Sequence, residues 1–225
     1  MSRKAYLWTL GIIYAAWWVL MAIKPNDFHD WLLENVLVVF GLGLLFYTAR
    51  SFPLSRISYT CIFVFMMLHA LGAHYTYAEV PYQVWIPALD GGRNHFDRLV
   101  HFSYGLLLAY PIREMFLRIG NVRGFWGYFL PLDLTMSTSM LYELIEWAAA
   151  EYFGGELGMA YLGTQGDVWD AHKDMALASL GALIAMGITA LVNAKMQRDF
   201  AAEWAESIRV KRKKPLGEEA MARSI

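Results

Sequence analysis

Six stretches of this sequence are long and apolar enough to cross a bilayer: Ala5–Ile23, Trp31–Tyr47, Ile57–Tyr75, Leu99–Leu117, Phe125–Ala150 and Ala171–Val192. A hydrocarbon core about 30 Å thick takes about 20 predominantly apolar residues per helix. Water is absent there, so each backbone N–H and C=O must be satisfied within the segment, and repeated spans of this kind commit the chain to helices. The sequence therefore predicts an all-α polytopic membrane protein. Residues 1–195 form a six-transmembrane-helix bundle, and 196–225 form a tail. The first span follows Arg3 and Lys4 as a signal peptide would, but its apolar run is too long and no Ala-x-Ala-like site follows, so it is expected to remain a span.

Composition points the same way. Hydrophobic residues make up 57% of the 225 residues and charged residues 17%, where a soluble domain carries about a quarter charged. The basic residues are not gathered on a folded face, which argues against nucleic acid as a partner. Lys24, Arg93, Arg98 and Lys173 fall on one side of the spans, and the other fifteen of the 19 Lys and Arg fall on the opposite side. Because Lys and Arg accumulate in cytoplasmic loops, both termini are expected in the cytoplasm of a bacterium, with the spans in its inner (plasma) membrane. The basic run Arg209–Lys214 reads as a topology determinant or a seat for anionic lipid head groups. Pro215 and Gly217 follow it, and the end is expected to fray. The single cysteine, Cys61, excludes an intramolecular disulfide framework and a Cys-rich metal site.

With that topology, all 6 histidines and most of the acids gather at the outer ends of the helices or in outer loops. Ionisable groups at membrane depth cost a few kcal/mol each on insertion scales, so they face a cavity or a partner. Three clusters have helical spacing. Asp97 and His101 are four apart and share a face, with Tyr104 a turn deeper; Glu143 and Glu146 are three apart and share another. Asp167, Asp170 and Asp174 follow one helical stripe if the last helix begins that early, and Asp167 could equally be its N-cap. Carboxylates and imidazole without thiolate suit a divalent metal, Zn first and Mn or non-haem Fe next. Two other readings stand beside that one. The same groups form a hydrogen-bond and ion-pair network in which Arg93, Arg98 and Lys173 neutralise the acids, or they belong to an ion or proton path that continues past Asp133. His69 reads as a satisfied core histidine, and Ala178, Gly181 and Ala185 as small residues for close helix packing.

Two clusters also resemble a known pattern. Asp97-Arg-Leu-Val-His-Phe-Ser-Tyr-Gly-Leu-Leu107 resembles the Asp-Lys-x-x-His-Phe-x-x-Tyr-x-Leu helix of VanZ-like membrane proteins. Tyr142-Glu-Leu-Ile-Glu146, then Gly163–Asp170, then Leu180–Ile184, resemble that group's Glu-bearing helix, its Gly-Asp-x-x-Asp helix start and its Gly-rich last span. The chain as a whole resembles the YjdF-like family of uncharacterised bacterial inner-membrane proteins. The resemblance implies a role at the cell envelope and singles out Asp97, His101, Glu143, Asp167 and Asp170. Arg98 stands where Lys is usual, and Asp174 where VanZ-like proteins carry Asn.

The expected function is a metal-dependent membrane hydrolase or transferase acting on a lipid-linked envelope substrate. Asp97, His101, Asp167, Asp170 and Asp174 are candidate metal ligands, and Glu143 is a ligand or general base. The alternatives are a non-enzymatic protein that binds a lipid, a small molecule or a partner, and an ion or proton transporter.

Overall fold

The computed structural model describes residues 1–86, 92–155, 158, 162–197 and 199–211. Among them no residue lies in a strand. The helices are α1 (Arg3–Met21), α2 (Phe28–Thr48), α3 (Arg56–His74), the short α4 (Tyr82–Trp85), α5 (Phe96–Ile119), α6 (Trp126–Phe153), α7 (Asp170–Met196) and α8 (Phe200–Ser207). The fold is all-α. By length and composition α1, α2, α3 and α7 can cross a membrane. At 24 and 28 residues, α5 and α6 rise about 36 and 42 Å, more than a core of about 30 Å requires. Both carry acids, and α5 also carries three arginines, so their reading as spans rests on length and on their packing against the apolar helices.

Local chemistry sets the helix starts. The hydroxyl of Ser2 accepts from Ala5 N and that of Ser55 from Ser58 N, while the Asp27 carboxylate accepts from His29 N and Asp30 N. Each satisfies backbone donors that the first turn leaves without partners. Pro111 and Pro131 lie inside α5 and α6 and are buried. In lipid such positions need neighbouring helices to cover them.

The tightest contact in the bundle is between α5 and α7. A Cβ placed on Gly105 would overlap the Ala178 carbonyl oxygen, and one on Gly181 would overlap the Phe102 carbonyl oxygen. Ala109, Ala178 and Ala182 are fully enclosed along the same seam. Small residues let two backbones touch where lipid offers no hydrophobic drive toward association. α1 and α2 lie outside this core and pack on α3. Much of their remaining apolar surface, such as Val39, Phe40 and Phe46, is exposed, as suits helices facing hydrocarbon.

Both ends of the described chain lie at one end of the bundle. Arg3 donates to Leu54 O in the α2–α3 loop at 2.6 Å. Residues 200–207, within the expected tail, form α8 and fold back on the α5–α6 loop. Phe200 and Trp204 pack against Tyr128, Phe125 N donates to the Ser207 hydroxyl at 2.9 Å, and the Trp126 indole donates to Ser207 O at 2.9 Å. The fraying expected near the C-terminus falls largely on 212–225, outside the described residues. At the same end, Glu114 of α5 accepts from Ser55 N at 2.9 Å, from the Ser58 hydroxyl at 2.6 Å and from Arg118 at 2.8 Å. This carboxylate caps α3 from a neighbouring helix. Glu114→Ala is expected to lower stability by about 1–3 kcal/mol, because it leaves the enclosed Ser58 hydroxyl and a helix-start N–H without their acceptor; thermal unfolding in detergent measures it, and an unchanged midpoint contradicts it.

Candidate metal centre

At the opposite end of the bundle, Asp97 lies in the first turn of α5 and His101 one turn further, with Nε2 of His101 3.5 Å from Oδ1 of Asp97. The close approach of α5 to α7 through Gly105 and Gly181 brings Asp174 beside them. One ligand atom from each of Asp97, His101 and Asp174 lies within 4.8 Å of the other two. Bonds of about 2.0–2.2 Å in a tetrahedral site hold ligand atoms roughly 3.5 Å apart, so small side-chain rotations complete the set. Glu143 of α6 joins from the third side, its Oε1 3.6 Å from His101 Nε2. Asp174 is 2% exposed, and Oδ1 of Asp174 and Oε1 of Glu143 are enclosed atoms without a hydrogen-bond donor. Enclosed carboxylate oxygens of this kind are costly unless a cation or a proton meets them. The donor set therefore fits a divalent ion.

The other two candidate ligands stand differently. Asp170 Oδ1 accepts from Arg93 at 2.6 Å and from Arg98 at 3.0 Å, although its Oδ2 is enclosed without a donor. Spacing alone puts Asp167 on the stripe of Asp170 and Asp174, or at the N-cap. Instead α7 begins at Asp170 after Trp169 as N-cap, and Asp167 lies in the preceding turn with its Oδ1 accepting from Trp169 N. Its Oδ2 takes Lys173 Nζ at 2.5 Å and Arg98 at 2.6 Å. Lys173 foremost, with the Trp169 N–H and Arg98 helping, holds the Asp167 carboxyl well below the usual carboxylate range. The six residues thus divide into an inner group, Asp97, His101, Asp174 and Glu143, and a rim in which Asp167 and Asp170 meet Arg93, Arg98 and Lys173. Both sequence readings, cluster and ion-pair network, have a place in this geometry.

The rim is stitched to the loop before α5. Arg93 donates to Thr164 O at 2.7 Å, and the Gln165 side-chain amide pairs with both backbone groups of Asn94 at 3.0 and 2.9 Å. These bonds hold Arg93 and Arg98 over Asp170.

Residues that sequence reasoning left outside the site lie next to it. Asp30 and Glu34 of α2 are 2% and 4% exposed. The Tyr142 hydroxyl donates to Glu34 Oε2 at 3.0 Å, and its ring meets His101 edge to face. Glu146 is buried on the same face of α6 as Glu143. The signal was available: two acids four apart in an otherwise apolar span. His69 has both ring nitrogens engaged, with Nδ1 accepting from Tyr77 OH at 2.5 Å and Nε2 donating to Glu34 O at 3.2 Å. With both ring nitrogens paired, His69 is a satisfied core histidine. Asp133 is exposed on α6.

Asp97 and His101 also line one end of a cavity of about 510 Å³ between α2, α3, α5 and α6. Beyond them its walls are almost entirely apolar, with Leu45, Phe65 and Leu108 toward the centre of the bundle.

Residues 6–195 match the family described as "Predicted membrane protein (DUF2238)". The chain is 38% identical over 205 residues to inner membrane protein YjdF of Escherichia coli (strain K12), covering 89% of this chain and 93% of that protein. No solved structure matches. A family match across nearly all the described helices, and a relative aligned over most of both chains, lead to one conclusion: the chain belongs to the DUF2238 family of membrane proteins.

Proposed function

We propose that this protein resides in the bacterial inner membrane with both termini in the cytoplasm, and that Asp97, His101 and Asp174 bind a divalent metal near its outer face. The reaction is hydrolysis of, or group transfer from, a lipid-linked envelope substrate. One observation carries the reading: three ligand atoms from two helices lie within 4.8 Å of one another, beside enclosed carboxylate oxygens that no donor reaches. One imidazole with carboxylates suits Zn, with Mn or Fe as the next choices. A metal in this position supplies Lewis acidity. Glu143, whose Oε1 lies 3.6 Å from His101 Nε2, accepts the proton of an incoming water. The water oxygen bonds to the scissile phosphorus or carbonyl carbon, and the leaving oxygen takes the proton back. In a transfer reaction an acceptor hydroxyl replaces the water. Asp170 and Asp167 hold Arg98 and Lys173 at the rim, where a charged head group would pass. The resemblance of the Asp97–Leu107 and Glu143–Asp170 segments to VanZ-like proteins supports an envelope role.

A second reading, a non-enzymatic protein whose polar cluster clasps the helix ends and receives a lipid, is favoured by the pairing of Asp167 and Asp170 with arginines and lysine. Transport has less support, because Asp133, the acid that would serve the inner half of a path, is exposed on α6. Metal content of the purified protein separates the enzyme from the clasp.

The orientation has its own test. Reporter fusions within the α5–α6 connection near Arg123 are expected to read as cytoplasmic, and fusions within 87–91 as external, because the basic residues concentrate at the first end. The opposite pattern inverts the topology and moves the site to the cytoplasmic face.

A further inference from the structure

The cavity is open on one side. Leu37 of α2 and Leu141 of α6 both line it, yet are 46% and 51% exposed; Leu42 and Ile145 behave alike. α2 packs along α3 and not along α6. The Tyr142–Glu34 hydrogen bond crosses the gap between α2 and α6 at the polar end. The void runs along α5 from Asp97 to Leu108, about 16 Å at 1.5 Å per residue. That is about half of a hydrocarbon core roughly 30 Å thick, the depth of one leaflet. The volume of about 510 Å³ lies along this depth, bounded by side chains of α2, α3, α5 and α6. The void is too apolar for a column of water, and its open side between α2 and α6 faces where hydrocarbon lies.

We propose that this cavity seats one hydrocarbon chain of a bilayer phospholipid, which enters sideways between α2 and α6 and leaves its head group at Asp97 and His101. The Tyr142–Glu34 bond bars the polar end of the opening, so the chain slides in below it from the bilayer. The proposal rests on the lipid-linked reading above only for what the head group meets; the chain seat itself stands on the shape and lining of the cavity.

Gly41 gives a direct test. It lines the cavity, and a Cβ there meets nothing within 4 Å, so Gly41→Phe fills the void and leaves the helix intact. Gly43, equally open but absent from the lining, gives the control Gly43→Phe. The full chain is placed in vesicles of phosphatidylethanolamine and phosphatidylglycerol that contain phosphatidylethanolamine with a diazirine at the end of one acyl chain. After illumination, labelled peptides are mapped by mass spectrometry. The expected result is labelling of Met66 and Leu108, inside the cavity, in the wild type and in Gly43→Phe, and its loss in Gly41→Phe. Leu108→Trp, which fills the same space from α5, gives the corresponding loss at Met66. Val39 and Phe40, on the exposed face of α2, label equally in all four and report a folded, inserted protein. Absence of Met66 and Leu108 labelling in the wild type, or its persistence in Gly41→Phe, overturns the proposal. A wild type that labels at Met66 and Leu108 but carries no metal removes the metal centre and leaves the chain seat standing.

Discussion

Asp174→Ala is expected to abolish stoichiometric divalent metal in the purified protein, whereas Asp170→Asn weakens binding by about 10–100-fold. The difference follows from position. Asp174 is enclosed, sits within ligand distance of Asp97 and His101, and has an oxygen that no donor reaches. Asp170 already spends one oxygen on Arg93 and Arg98 and acts on the site through the charge and placement of those groups. A loss of that size on Asp170→Asn corresponds to about 1.4–2.8 kcal/mol, the range found when a group that orients a ligand is removed. His101→Ala is expected to behave like Asp174→Ala, because it removes the one nitrogen donor of the set. Elemental analysis of wild type and variants, after dialysis against a chelator and reloading with Zn or Mn, reads the result. A wild type that takes up neither metal sinks the assignment and leaves a proton-sharing network; metal that survives both Asp174→Ala and His101→Ala means that the ligands lie elsewhere.

The second large effect is steric. Gly105→Ala and Gly181→Ala are each expected to destabilise the protein by about 3 kcal/mol or more, at the upper end of what overpacking costs. In an open helix the same change gains up to about 1 kcal/mol. The sign reverses because the new methyl group meets backbone: the Ala178 carbonyl oxygen for residue 105, and the Phe102 carbonyl oxygen and Leu106 N for residue 181. A side chain can swing away, but a main chain in mid-helix moves only if the whole helix moves. Separating α5 from α7 also draws Asp174 away from Asp97 and His101, so both variants are expected to lose metal along with stability. Gly11→Ala and Gly43→Ala, where a Cβ meets nothing within 4 Å, serve as references expected to be neutral or mildly stabilising. Unfolding followed by circular dichroism in increasing denaturing detergent ranks the four, and equal midpoints refute the packing argument.

Much of this architecture could be read from residue pattern. Apolar runs of bilayer length gave the long helices, since a chain in lipid has few other ways to satisfy its backbone. The four-residue step from Asp97 to His101 and the three-residue step from Glu143 to Glu146 placed each pair on one helix face. Other features depend on geometry that no local pattern encodes. Ala178 and Gly181 announce close packing, but only the fold names Gly105 and Phe102 as their counterparts. Asp167 and Asp170 look equivalent by spacing, yet the helix start between them sends one into a turn facing Lys173 and Arg98. Glu34 lies 108 residues from Tyr142 along the chain, and its membership of the site depends on how α2 leans on α3. α8 was missed because an eight-residue helix in a charged segment becomes stable only through Tyr128 and Phe125 from another part of the chain.

The uneven apolarity of the helices has a consequence for biogenesis. The more polar helices α5 and α6 are synthesised before α7, the most apolar of the four helices long and apolar enough to cross a membrane. A charged residue within a span costs up to about 2.5–3.5 kcal/mol on insertion scales, and Arg98 of α5 lacks its α7 partner until Asp170 has been made. The late arrival of α7 supplies both the apolar anchor and the carboxylates that pair with Arg93 and Arg98. A chain cut before residue 170 is expected to hold α5 and α6 poorly and to turn over faster than the full chain. The same contacts that assemble the candidate metal centre thus tie the placement of α5 and α6 to completion of α7.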